Sequence, residues 1–321
     1  MQINLPEEHM ENLILSFNVV LPLFLNIALG YTLRCMHMLD EATQKNLNKL
    51  CFKVFLPLYV FNNIYTTDME MAFHPGLTAL VAGGILAVFL FLMVFIPQIE
   101  KENAKRGVMI QAIFRSNYAL FGLPVAVSLC GEANVGPTSL LVSVVVPMFN
   151  VLAVVCLEAF RGGKPDIGKM LKGIATNPLI IASVLGIAMN LAHVPLPSAV
   201  HKSIVDLGRI ATPLALVALG AGFQFGRIRG YTRQLLICIS GKLVFVPLAL
   251  VTLAALLGFR EELLVPVLVL FASPVATSSY TMAELMEGDG TLAASLVVLT
   301  TALSIFTMFL FIFALKQLGL I

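Results

Sequence analysis

Charged side chains are scarce in this chain. They make up 12% of its 321 residues, against 59% hydrophobic, and the mean hydropathy is +0.93. A soluble domain is roughly a quarter charged, so this composition excludes a water-soluble globule. Carboxylates are absent from the centres of the apolar runs; Glu158 and Glu284 lie near run ends. Proton-driven carriers often place an Asp or Glu at the bilayer midplane, so proton coupling through a carboxylate is not expected. The five cysteines (Cys35, Cys51, Cys130, Cys156, Cys238) include no C-x-x-C pair and all lie in or beside apolar runs. They read as small buried apolar residues rather than a disulfide framework or a metal site. The signatures H-E-x-x-H, G-x-x-x-x-G-K-[ST] and G-x-S-x-G are missing. His9, His37, His74, His193 and His201 show no metal-ligand spacing. Neither an enzyme nor a bound metal or organic cofactor is expected. The N-terminus, Met-Gln-Ile-Asn-Leu-Pro-Glu-Glu, lacks the basic start of a signal peptide, so the first apolar run is expected to remain as a true span.

Long apolar runs are what the chain has instead. About 20 such residues cross the ~30 Å hydrocarbon core of a bilayer. Ten runs qualify, at about 12–34, 43–63, 75–96, 106–130, 135–160, 173–192, 200–223, 232–257, 262–286 and 292–315. The loops after runs 1, 3, 5 and 7 hold twelve Lys and Arg: Arg34, Lys45, Lys101, Lys105, Arg106, Arg161, Lys164, Lys169, Lys172, Arg227, Arg229 and Arg233. Those after runs 2, 4, 6 and 8 hold Lys202 and Arg260. The positive-inside rule puts the first set in the cytoplasm and both termini outside a plasma (inner) membrane. The acidic loop after run 9, with Glu287 and Asp289, departs from the pattern. The net charge of +2 is then a topological signal and does not point to nucleic acid.

The halves repeat at an offset of 156 residues. Pro22-Leu23 matches Pro178-Leu179, Leu29-Gly30 matches Leu185-Gly186, Pro57-Leu58 matches Pro213-Leu214, and Ser139-Leu140 matches Ser295-Leu296. One position of slippage brings Gly131-Glu132 onto Gly288-Asp289. The expected fold is an all-α integral membrane protein of ten transmembrane helices, built as two five-helix repeats, 1–160 and 161–321. Five is odd, so the second repeat enters the bilayer inverted, an arrangement typical of alternating-access transporters.

Two runs carry breakers at matching places. In run 4, Arg115-Ser116-Asn117-Tyr118 precede Gly122 and Pro124; in run 9, Ser273-Pro274 precede Thr277, Ser278, Ser279 and Thr281. Proline removes a donor and clashes with the carbonyl four residues earlier, Leu120 in the case of Pro124. Broken backbone at membrane depth must be sheltered by protein or line a polar cavity. Two such breaks that cross would aim half-helix N-termini at one cavity, which suits an anion. Lys53 and Arg209 correspond at the same offset, each four residues before a proline. As intramembrane cations they are candidates to attract the same anion, with snorkelling as the structural alternative. Arg115 is a further candidate, or an interfacial residue; Lys242 has no assignable charged partner. Sodium held by carbonyls with Asn and Ser/Thr oxygens, near Asn117 and Ser278, stays open as a coupling ion, as does a proton. Asn26, Asn62, Asn63, Asn150 and Asn190 read as interhelical hydrogen-bonders.

These segments resemble the auxin efflux carrier family, which includes bacterial permeases annotated for malate and malonate. The matching residues are Arg115-Ser116-Asn117 with Gly122-Leu123-Pro124 and Gly131; Ala272-Ser273-Pro274-Val275-Ala276 continuing to Ala283-Glu284 and Gly288-Asp289; and Ala211-Thr212-Pro213-Leu214-Ala215-Leu216 with Leu219-Gly220-Ala221. The resemblance spans the whole chain. It implies a fold like that of sodium/proton antiporters and bile-acid symporters, with broken, crossing helices 4 and 9. Helices 1, 2, 6 and 7 would form a scaffold that homodimerises, and helices 3–5 and 8–10 a moving transport domain. Asn117, Pro124 and the Pro274–Ser279 segment would line the substrate site. The short link between runs 5 and 6 favours a compact bacterial-type permease over an auxin exporter. The expected function is secondary or facilitative transport of small organic anions, mono- or dicarboxylates. The alternatives are a sodium-coupled carrier of a bile-acid-like or neutral solute, and a transporter-like membrane sensor.

Overall fold

The computed structural model describes residues 21–66, 74–131, 134, 136–162, 167–223 and 230–321. The first half of run 1, Lys164, Arg227, Arg229 and the repeat position Glu132 lie outside the described residues. Among the described residues the chain is helical and has no β-strand. Five helices are long and apolar enough to cross a membrane: Pro75–Ile99, Gly136–Ala159, Ser198–Gly222, Thr232–Leu256 and Gly290–Gln317. Two shorter apolar helices are Leu21–Cys35 and Pro178–Leu191.

In chain order the helices are α1 (Leu21–Cys35), α2 (Glu41–Leu50), α3 (Leu56–Tyr65), α4 (Pro75–Ile99), α5 (Asn103–Phe114), α6 (Leu123–Cys130), α7 (Gly136–Ala159), α8 (Ile167–Ala175), α9 (Pro178–Leu191), α10 (Ser198–Gly222), α11 (Thr232–Ser240), α12 (Val246–Leu256), α13 (Val265–Ala272), α14 (Ser278–Leu285) and α15 (Gly290–Gln317). Side chains close several N-termini. Asp40 accepts from the Thr43 N–H at 2.7 Å, and Asp289 from the Leu292 N–H at 2.9 Å, each satisfying an otherwise orphaned donor.

Proline shapes three of the helical segments in the same way. The stretches Cys51–Phe55, Tyr118–Gly122 and Gly241–Phe245 are single π-turns, and each is followed two residues on by Pro57, Pro124 or Pro247. A proline ring cannot sit against the carbonyl four residues back. The turn before it therefore widens, and Leu56, Leu123 and Val246 donate five residues back, to the carbonyls of Cys51, Tyr118 and Gly241. Pro124 thus stands in the first turn of α6 and is not the point at which the backbone breaks.

The interior is unequally distributed. Every residue of α13 is buried, whereas α4 exposes Leu86, Leu90, Phe91 and Val94, as expected of a lipid-facing surface. α3 packs on α9 and α10, α5 on α7, and α14 on α15. α1 and α10 approach to backbone contact. A Cβ on Gly30 would run into the Val217 carbonyl, and one on Gly220 into the Ile27 carbonyl. Only glycine permits that separation.

Candidate functional site

α5 ends at Phe114 because Arg115 leaves the helical region, with φ −88° and ψ 129°. α13 ends at Ala272 because Ser273 precedes Pro274 and is pushed to extended geometry, φ −63° and ψ 150°. The two extended pieces meet as an antiparallel bridge between Ser116 and Val275. The Asn117 N–H donates to the Pro274 carbonyl at 2.8 Å, and the Val275 N–H to Thr300 Oγ1 at 3.2 Å. Beyond the bridge, the Asn117 carbonyl accepts from the Phe121 N–H at 2.9 Å. Ser273 Oγ donates to the Val269 carbonyl. The freed backbone thus finds partners in the other break, in α15 and in its own segment, which membrane depth demands. Gly122 makes the approach possible: a Cβ there would lie 3.0 Å from the Val269 carbonyl and 3.1 Å from Ser273 Oγ.

A cavity of about 60 Å³ opens beside this crossing. Arg115, Ser116, Asn117, Tyr118 and Ala119 line it from the first break, and Ala276, Thr277 and Ser278 from the second. Leu56, Tyr59 and Val60 of α3, Val146, Phe149 and Asn150 of α7, Leu179 of α9 and Thr212 of α10 complete the wall. The start of the π-turn leading into α6 and the N-terminus of α14 both reach it.

Hydrogen-bond donors dominate the polar lining. Arg115 is 4% exposed. Its Nη2 donates to Asn150 Oδ1 and Ser278 Oγ, both at 2.8 Å, and its Nη1 lies 2.7 Å from Met282 Sδ. All three partners are neutral, and none of the ion pairs among the described residues includes Arg115. The amide nitrogens of Asn117 and Asn150 are buried without an acceptor. The guanidinium fixes the Asn150 amide by taking its oxygen, leaving the NH₂ group unused. A guanidinium and two amides, held in apolar surroundings and short of acceptors, make this lining rich in hydrogen-bond donors.

The expected site residues divide into three groups. Arg115, Asn117, Tyr118, Thr277 and Ser278 line the cavity. Ser273 and Pro274 are buried in the second break and serve its backbone. Ser279 turns away: its carbonyl accepts from Gln111 Nε2 at 3.1 Å, and its buried Oγ has no partner. Pro124, Lys53 and Arg209 are exposed, and none lines the cavity. The widened turn Cys51–Phe55 inserts an extra residue and rotates Lys53 off the face carrying Leu56, Tyr59 and Val60. Arg209 lies opposite the buried stripe Gly208, Ala211 and Ala215 of α10.

Two residues at the crossing were not expected there. Asn150 read as an ordinary interhelical hydrogen-bonder. Lys242, fully buried in the π-turn between α11 and α12, reaches the back of the crossing. Its Nζ donates to Ser116 Oγ and to the Phe271 carbonyl at 3.3 Å. A lysine five residues before a proline in an apolar run was the available signal.

On the far side of α14 lies a second cavity of about 220 Å³, lined by Arg34, Asp40, Gln44, Lys45, Tyr280 and Glu284 among others. The wall between the two cavities carries a polar seam, in which Gln44 Nε2 donates to Tyr280 Oη and Thr281 Oγ1 to Asn48 Oδ1 at 3.4 Å.

Comparison with known proteins places the chain among membrane transporters. A family profile described as membrane transport protein, Mem_trans, matches residues 15–312. An uncharacterized transporter of Methanothermobacter thermautotrophicus is 24% identical over 296 residues, covering 90% of this chain and 95% of that protein. The uncharacterized transporter MJ1031 of Methanocaldococcus jannaschii is 24% identical over 309 residues, covering 91% of this chain and 96% of that protein. With the profile spanning nearly the whole sequence, the chain belongs to the auxin efflux carrier-like family of membrane transport proteins.

Proposed function

We propose that the chain carries small organic anions, carboxylates in the first place, across the plasma membrane by alternating access. The observation that carries this reading is Arg115: a buried guanidinium with only neutral partners, facing a cavity beside two unused amide donors. Leaving an ionised group so deep without a counter-ion is expensive, and an anionic cargo supplies the missing partner. Ten membrane crossings follow if α2–α3, α5/α6, α11–α12 and α13/α14 each count once, beside α1, α4, α7, α9, α10 and α15. They form the two inverted repeats, 1–160 and 161–321, with both termini outside.

The moving body comprises α4–α7 and α11–α15, and the static body α1–α3, α9 and α10, through which two copies pair. The backbone-to-backbone contact of α1 with α10 at Gly30 and Gly220 falls within the static set. The contact of α2 with α14, by contrast, includes the Gln44–Tyr280 and Asn48–Thr281 hydrogen bonds, which separate at lower cost. The cavity and its larger neighbour lie on either side of that seam, as two access routes to one site would.

The test is uptake of labelled mono- and dicarboxylates into proteoliposomes holding the purified chain. Saturable flux inhibited by other carboxylates is expected, with Asn117→Ala impaired more than Asn26→Ala. Flux confined to neutral solutes, or equal effects of the two substitutions, would overturn the reading.

A further inference from the structure

The described residues include three buried charged side chains: Glu100, Arg115 and Lys242. Glu100 belongs to the water-facing end of α4, where it accepts from the N–H groups of Lys101 and Glu102 and from Gln234. The other two sit at the crossing. Lys242 binds Ser116, and Arg115 is the residue next to it, so the two cations flank consecutive positions of one break. The π-turn carrying Lys242 packs on α5, α11, α12, α13 and α15. None of these five helices contains an Asp or Glu. Their cations are Lys105, Arg106, Arg233 and Lys316, all near helix ends. The helix dipoles do not supply the balance for the body as a whole: each break contributes one C-terminal and one N-terminal end, of opposite sign.

We infer that Lys242 is the second of two fixed positive charges that travel with the anion site, so that the empty site crosses the membrane's electric field as a cation. Arg115 touches the cavity. Lys242 acts through Ser116 and the end of α13, as a positioning residue that also adds one positive charge at the crossing. The inference rests on the proposed reading that this body moves. An elementary charge moved through the membrane potential does electrical work, so reorientation without cargo depends on voltage, and a bound anion reduces that dependence. Over a complete cycle the fixed charges return to their starting place. They are therefore visible in the partial step and not in the overall stoichiometry.

The experiment applies voltage steps across giant liposomes carrying the purified full chain, in medium free of carboxylates, and records the transient charge displaced. Wild type is expected to show such transients. The slope of displaced charge against voltage, normalised to the maximal charge, should fall about twofold in Lys242→Met, from two moving charges to one, and hold its wild-type value in Lys242→Arg. Weakened packing changes how many molecules respond or how fast, but not the charge each one moves, so the slope separates electrostatics from structure. Absence of transients in wild type, or a wild-type slope in Lys242→Met, overturns the inference. Thermal shift with acetate and succinate runs in parallel. Transients that halve as expected, without stabilisation by either acid, would sink the carboxylate reading and leave the fixed charge standing. Stabilisation without transients would do the reverse.

Discussion

Replacing Arg115 with methionine separates binding from folding. In the folded state the guanidinium donates to Asn150 Oδ1 and Ser278 Oγ. Its removal leaves two acceptors short of partners, at about 1–3 kcal/mol each if both stay dry. Against this stands the relief of a buried charge with no counter-ion, several kcal/mol in real proteins. The two terms are of similar size, so Arg115→Met should melt within a few degrees of wild type. Anion binding should respond differently. Loss of a charge-assisted hydrogen bond removes about 1.5–3 kcal/mol, or roughly a 10- to 150-fold weaker Kd. The assay is a carboxylate titration followed by thermal shift on the same samples, since a ligand that binds only the folded state raises its stability. A variant that loses most of its stability yet keeps its affinity would show Arg115 to be a structural strut, and the argument for an anion would go with it.

Other consequences are quicker to check. Gly220→Leu should destabilise the protein by more than about 1–3 kcal/mol, the usual range for overpacking, because its Cβ meets the Ile27 carbonyl; a wild-type melting temperature would refute the close α1–α10 contact. Burial alone would raise the Glu100 carboxyl, but hydrogen bonds from the Glu102 N–H, the Gln234 amide and the Lys101 N–H outweigh it and hold it below the ordinary value of 4.5. A carboxylate depressed by folding stabilises above its unfolded pKa and loses that contribution as pH falls through the folded value. Unfolding on acidification below about pH 4.5 should therefore be less steep in Glu100→Gln, and identical acid profiles would remove Glu100 from the account. Cysteines at positions 48 and 281, joined by a short disulfide-containing cross-linker in a background lacking Cys35 and Cys130, should arrest transport until a reductant cleaves the link. Unimpeded flux after complete cross-linking would mean that α2 and α14 do not part.

Much of the helical architecture and the crossing were legible because their signals are local. Pro274 disfavours helix at Ser273 in any context, and Gly122 and Pro124 mark irregular backbone wherever they fall. The apolar runs and the 156-residue repeat likewise need no tertiary knowledge. The facing of individual side chains was not legible. Lys53 and Leu56 are three residues apart and would share a face of a regular helix. The π-turn that Pro57 induces changes that phase, and its presence depends on how the chain relieves the proline clash. Lys242 and Asn150 are a different case. Each is a single polar residue in an apolar run, and which break it serves is set by packing between helices more than thirty residues apart in sequence. A fixed offset between Lys53 and Arg209 suggested a functional pair, yet positions at a fixed offset carry cations equally well on two exposed surfaces.

The crossing also accounts for how two cations persist in a membrane without a carboxylate. α5 and α13 both end at the breaks, and a helix C-terminus carries about half a negative charge on its free carbonyls. Lys242 sits against one of these ends, at the Phe271 carbonyl. Together the two C-termini supply about one negative charge behind the bridge, a partial balance for one ammonium. On the cavity side the polarity reverses. There the chain presents the N-terminus of α14, the start of the turn into α6, Arg115, and Asn117 and Asn150, whose amide nitrogens are buried without acceptors. The negative ends are thus taken up internally and the positive ones face the space. A neutral solute placed there would leave the guanidinium uncompensated, and a cation would meet positive groups from both breaks. The asymmetry arises from the order of elements, helix end first and helix start second at each break. Substitutions that keep Arg115 but restore continuous helix through residues 115–122 should therefore abolish the proposed anion selectivity, measured as carboxylate uptake into proteoliposomes, as completely as removing the arginine itself.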